Sequence, residues 1–98
     1  MYRAHSWEVL KVVGSSHYYK LSCWVANSSW RINSGIVDVK DDGACWLVYG
    51  VSGSVYACPK KSEGLTPPML AVEKAVAAGI VIRSTMAQLM EDEDALLD

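Results

Sequence analysis

From residue 6 to residue 58 the chain alternates short apolar runs with small polar breaks: Gly14-Ser15-Ser16, Asn27-Ser28-Ser29, Asp41-Asp42-Gly43 and Val51-Ser52-Gly53. Ser6 to Val13 is the first predicted strand and His17 to Val25 the second. In the second, a period of two puts Tyr19, Leu21, Cys23 and Val25 on one face and Tyr18, Lys20, Ser22 and Trp24 on the other. Trp30 to Val39 is the third. Its apolar phase shifts at Gly35, which predicts a bulge or bend there. Asp42-Gly43 predicts a two-residue hairpin, because both residues tolerate the positive φ of such turns. Ala44 to Tyr49 is apolar on both faces, as in the strand most covered by its neighbours. Ser54 to Cys58 is the fifth strand, ended by Pro59. Short turns between consecutive strands predict a meander paired in sequence order.

The period then changes to that of a helix. Thr66 is the expected N-cap and Pro67 the first helical residue, with Met69, Val72, Val76 and Ile80 forming an apolar stripe and Gly79 a C-terminal stop. Gly79 to Arg83 reads as a short extended segment. Thr85 and Gln88 match a capping box that opens a last helix through Met86, Leu89 and Met90. The acids that follow oppose the helix dipole, so fraying is expected there. The fold class that results is a single α+β domain. It comprises a five-stranded, mostly antiparallel meander (1–58), one main packing helix (66–79) and a short acidic C-terminal helix or tail (84–98).

At 98 residues such a domain buries only ~60–65% of its unfolded surface. A protein partner or a second copy as a homodimer is therefore a natural expectation. The aromatic content sharpens this: four Trp and five Tyr but no Phe, the aromatics favoured on half-wet surfaces. No stretch approaches the ~18–20 apolar residues of a membrane span. Met1 to His5 leads into no apolar signal core, so no secretory signal is expected. Cys23, Cys45 and Cys58 are odd in number and widely spaced, which reads as reduced thiols of a cytoplasmic protein. Asn27-Ser28-Ser29 matches a glycosylation sequon and is read simply as a turn. Charge is segregated. All nine basic residues precede Ser84 against six acids, a net +3, while Glu91 to Asp98 hold five acids and no base.

Candidate chemistry is sparse. His5, His17, Cys23, Cys45 and Cys58 lack metal-ligand spacing, so no metal and no cofactor are expected. Cys58 beside Lys60 and Lys61 is the best nucleophile candidate, but nothing in sequence supplies it with a base. Gly50-Val51-Ser52-Gly53-Ser54 resembles a nucleophile elbow without its last glycine and is read as a hairpin turn. A small enzyme is the third reading. The second is a single-stranded nucleic-acid binder that stacks bases on aromatics of an open sheet face beside Lys and Arg. The first is a non-enzymatic protein-binding module. Its expected anchors are Tyr18 and Trp24, with Lys20 and Arg31 setting orientation, on the face opposite the packing helix. Trp46, in the strand apolar on both faces, is expected to be structural, so that Trp46→Ala damages stability first where Trp24→Ala damages affinity.

In size, cytoplasmic character, meander-plus-helix layout and lack of catalytic motifs, the chain resembles small phage or mobile-element proteins of the anti-CRISPR, anti-defence inhibitor type. The resemblance spans the whole chain at the level of layout. It implies a stoichiometric inhibitor, a viral protein acting in the host cytoplasm, that masks a surface of a host nucleic-acid-processing complex. It also implies that acids standing in for nucleic acid do the binding. Here these would be Glu91, Asp92, Glu93 and Asp94, or Asp38, Asp41 and Asp42.

Overall fold

A computed structural model describes residues 1–14, 18–25, 29–64 and 69–92. They form a mixed α+β fold with a mostly antiparallel sheet. The strands are β1 (Tyr2–Val12), β2 (Tyr18–Val25), β3 (Ser29–Ile32), β4 (Ile36–Asp42), β5 (Cys45–Gly50), β6 (Val55–Pro59) and β7 (Val81–Ser84). A 3-10 turn covers Lys60–Ser62, and the helices are α1 (Leu70–Ala77) and α2 (Met86–Glu91).

Seven strands replace the expected five, and they do not pair in sequence order. The sheet runs β3-β2-β1-β6-β5-β4, with β7 added to β1. The predicted third strand divides at Asn33-Ser34-Gly35 into β3 and β4. The buried Asn33 fastens this corner: its Oδ1 accepts from the Leu21 N–H at 2.8 Å and its Nδ2 donates to the Gly35 carbonyl at 3.3 Å. The segment Gly79 to Arg83 does become extended, as β7. The predicted β4–β5 turn shifts by one residue, to Gly43-Ala44 between the paired Asp42 and Cys45, with Gly43 at φ 71°. Gly50 to Ser54 closes the β5–β6 hairpin, with Gly50 N–H donating to the Ser54 carbonyl at 2.8 Å.

The central strand is β1, not β5. A register shift between Ala4 and Ser6 lets its two halves use different neighbours. Tyr2 and Arg3 pair in parallel with Tyr56 and Ala57 of β6, while Val9 to Val12 pair antiparallel with β7 and the whole second half with β2. Both faces of β1 are covered. Trp7 and Val9 point into the main core with Tyr19, Leu21, Cys23, Val48, Tyr56 and Cys58. Leu10 points the other way, into a smaller cluster with Val72 and Val81. Four of the six β5 residues are only half-buried.

The two helices exchange the roles expected of them. Met86 and Leu89 of the short α2 are fully buried in the main core. The longer α1 sends Val72, Ala75 and Val76, with Met69 before it, onto the smaller cluster, and only Val72 is fully buried. The expected start at Thr66-Pro67-Pro68 lies outside the described residues, and α1 itself is shorter than the predicted 66–79. Its end follows the expectation. Gly79, at φ 72°, donates to the Val76 carbonyl at 3.0 Å and Ile80 N–H to that of Ala75 at 2.9 Å, a Schellman closure. That closure turns Ile80 off the helical stripe, and it is 56% exposed. At α2 the Gln88 N–H donates to Thr85 Oγ1 at 3.1 Å, as the capping box requires, but the Gln88 side chain takes the Ser84 hydroxyl instead. Glu63 adds a second cap, accepting from the Met86 N–H at 2.6 Å. The predicted 84–98 helix is thus six residues long, and its positions 93–98 lie outside the described residues.

Candidate functional site

Three of the four expected anchors come together. Tyr18, Lys20 and Trp24 lie half-buried along about 20 Å of one face of β2. The face continues onto β3, where Trp30 stands directly opposite Trp24 and Ile32 opposite Ser22. The Trp30 indole N–H donates to Ser22 Oγ at 3.2 Å, which turns the ring along the strand pair. Ile32 is 37% exposed. Trp30 and Ile32 were legible only as apolar strand residues; the Trp24–Trp30 register assigns them to this face.

Arg31 does not join them. It pairs with Cys23 and so projects to the opposite face of the sheet. Its guanidinium lies 4.1 Å from the centre of the Tyr2 ring, which stacks on Tyr56 at 5.1 Å. A hydrogen bond to Tyr56 holds the already high Arg31 pKa higher still. The anchor face is also not the one opposite the main helix. Lys20 pairs with Leu10, whose side chain sits under Val72, so α1 shares this face. The helix packs chiefly on β7 and the end of β1. Between it and β2–β3 runs an apolar groove of about 200 Å³ with Leu10, Val12 and Val72 inside and Tyr18, Lys20 and Ile32 at its side. On the far side of α1, Arg83 bonds both Glu8 and Glu73, fastening helix to sheet and neutralising the buried Glu8.

The acidic end forms a separate cleft of about 420 Å³ beside α2, lined by Lys11, Tyr19, Arg83, Gln88, Glu91 and Asp92 among others. Glu91 is exposed, Asp92 accepts from the Tyr19 hydroxyl at 3.0 Å, and Glu93 and Asp94 lie outside the described residues. Burial first, and the Asp92 carboxylate second, push the Tyr19 hydroxyl from its usual value up to about 12. The folded state thus favours neutral Tyr19. Its contribution to stability is complete below pH ~10, the unfolded value, and is lost as pH rises toward about 12. We expect the urea midpoint to fall as pH rises from ~10 toward about 12 more steeply in the wild type than in Tyr19→Phe; equal slopes would show that burial and Asp92 do not hold Tyr19 neutral. The other acids, Asp38, Asp41 and Asp42, lie on β4, where Asp41 pairs with Lys60 at 2.7 Å.

The cysteines are free thiols, with Cys23 and Cys58 buried and Cys45 half-buried. Burial pushes Cys23 up to about 11, against the pull of Arg31, and raises Cys58 further, helped by the neighbouring thiols. A thiol raised in this way is a poor nucleophile at neutral pH. Among the described residues no group of three or more His, Cys, Asp or Glu side chains is placed to hold a metal ion. Among them, too, no helix is long and apolar enough to cross a membrane. Comparison with protein-family models, with curated proteins and with solved structures finds no match for this chain.

Proposed function

We propose that the protein is a non-enzymatic protein-binding module whose interface is the outer face of β2 and β3. The observation that carries this is the continuous row of Tyr18, Lys20, Trp24, Trp30 and Ile32, partly exposed beside a groove that α1 leaves open. Large aromatics with an apolar pocket between them are the usual composition of a binding hot spot. The nucleic-acid reading is weaker on the same face. Lys20 is the one basic residue in that row, and Arg31, which was to hold a phosphate beside it, lies on the other side of the sheet. Phosphate binding draws its strength from several such contacts.

In this reading the protein acts in the cytoplasm as a stoichiometric mask over part of a larger complex, in the manner of small phage-encoded inhibitors of host defence. The test is retention from a lysate of the source cells on immobilised protein, with the retained polypeptide then produced pure and titrated. A labelled 20-nucleotide single strand is titrated in parallel at ~150 mM salt. We expect a defined complex with a micromolar or tighter dissociation constant and at most weak retention of the strand. Submicromolar binding of the strand, or no polypeptide that binds when pure, would overturn the reading.

A further inference from the structure

Edge strands decide how a sheet meets another chain. Among the described residues β3, β4 and β7 each carry an edge without a ladder partner. The tip of β4 carries Lys40, Asp41 and Asp42, the kind of charged edge that deters pairing. On β7, Arg83 is held by Glu8 and Glu73. In β3, Ser-Trp-Arg-Ile, the one charge, Arg31, is turned to the face of Tyr2 and Tyr56, and Trp30 and Ile32 leave the other face apolar.

The backbone of β3 is set for addition. Asn33 N–H donates to the Leu21 carbonyl at 3.0 Å, so Leu21–Asn33 is a hydrogen-bonded position of the β2–β3 ladder. Antiparallel ladders alternate, which makes Cys23–Arg31 and Val25–Ser29 the next such positions. The N–H and C=O groups of Trp30 and Ile32 therefore face away from β2. Their side chains stand on the face that bears the groove, while Arg31 stands on the other.

We propose that β3 receives an added strand from the protein partner, an extended segment in which apolar residues alternate with carboxylates. This rests on the protein-binding reading above. The apolar residues lie beside Trp30 and Ile32 and extend the lining of the groove. The carboxylates fall on the Arg31 side. Charge favours the same choice on that side: Arg31 meets the Tyr2 ring and the Tyr56 side chain, and among the described residues no ion pair neutralises it. A second copy is a poorer occupant, because a two-fold pairing centred on β3 sets Arg31 against Arg31.

The probes are dodecapeptides selected from a random display library against the immobilised protein and measured by fluorescence anisotropy. Ile32→Pro deletes an outward N–H that β2 does not use, so the fold should persist, as proline is tolerated at sheet edges. Arg31→Glu tests the charge without touching the backbone. We expect peptides of alternating apolar and acidic residues that lose at least ~30-fold in affinity on Ile32→Pro, about 2 kcal/mol, and are retained by Ile32→Val. Selection on Arg31→Glu should turn from acidic to basic peptides. Equal affinity for Ile32→Pro in its folded state, or acidic peptides selected again by Arg31→Glu, overturns strand addition. So does a concentration-dependent dimer in sedimentation that Ile32→Pro abolishes, which would assign the edge to a second copy. If Ile32→Pro still retains the cellular partner, strand addition fails while protein binding stands; if the wild type retains none, protein binding itself fails.

Discussion

Replacing Trp7 by Ala is expected to unfold the domain at ambient temperature or to lower its stability by about 3–5 kcal/mol, the range for a buried aromatic cut to Ala. Trp7 has no exposed surface, and it joins several elements at once. Its indole N–H donates to the Pro59 carbonyl at 2.7 Å, closing the end of β6 onto β1. Its own carbonyl accepts from the Gly64 N–H at 2.7 Å, which brings Glu63 to the start of α2. Truncation therefore opens a cavity beside that backbone link and leaves the Pro59 carbonyl with only the Ser62 hydroxyl, at 3.2 Å. Total stability for a domain of this size is only about 5–15 kcal/mol. Trp7→Phe keeps most of the volume and loses the hydrogen bond, so it should cost about 1–3 kcal/mol. Trp46→Ala should cost less than Trp7→Ala, because Trp46 is half-buried and its ring is covered by Lys60 at 4.4 Å. Urea unfolding followed by circular dichroism measures all three. A Trp7→Ala midpoint equal to that of Trp46→Ala would show that Trp7 is not the keystone.

That ranking was not legible in the sequence, and the reason is physical. Ala44 to Tyr49 is apolar on both faces, which is a local property. How far a strand is covered depends on its place in the sheet, and β1 wins that place through a parallel pairing of Tyr2 and Arg3 with residues some fifty positions away. Nothing in Tyr-Arg-Ala-His announces such a pairing. Features set by near neighbours were legible. The two faces of β2 follow from strict alternation, the end of α1 from Gly79, and the N-cap of α2 from Thr85. Features set by register were not. The side taken by Arg31 depends on the register that sets Trp24 opposite Trp30, and a shift of one residue exchanges every side chain between faces. Which helix covers which face was equally hidden. Met86 and Leu89 offer a narrower stripe than α1, yet they enter the main core because β7, Thr85 and Glu63 deliver α2 to its open end.

For the candidate site, the same division left Tyr18, Lys20 and Trp24 visible as one face and hid Trp30, Ile32 and the groove. Trp24→Ala is the second large effect expected, and it falls on affinity. Trp24 and Trp30 are directly opposed, where side chains of a strand pair come closest. Trp30 leans onto the α1 cluster and is held by Ser22; among the described residues no such tie is seen for Trp24. Its loss should therefore cost the fold about 1 kcal/mol or less. A central aromatic anchor cut to Ala typically costs ~2–4 kcal/mol of binding, roughly thirty- to several-hundred-fold in dissociation constant. Trp30→Ala should lose both, since it removes an anchor and a support of α1 together. Thermal midpoint and affinity for the purified partner, measured on both variants, separate the cases. If Trp24→Ala unfolds the domain, the ring is part of the fold. If it stays folded and binds as the wild type does, the β2–β3 face is not the interface. The cleft beside α2, where Glu91 and Asp92 stand, then takes its place, and Glu91→Lys becomes the variant that abolishes binding.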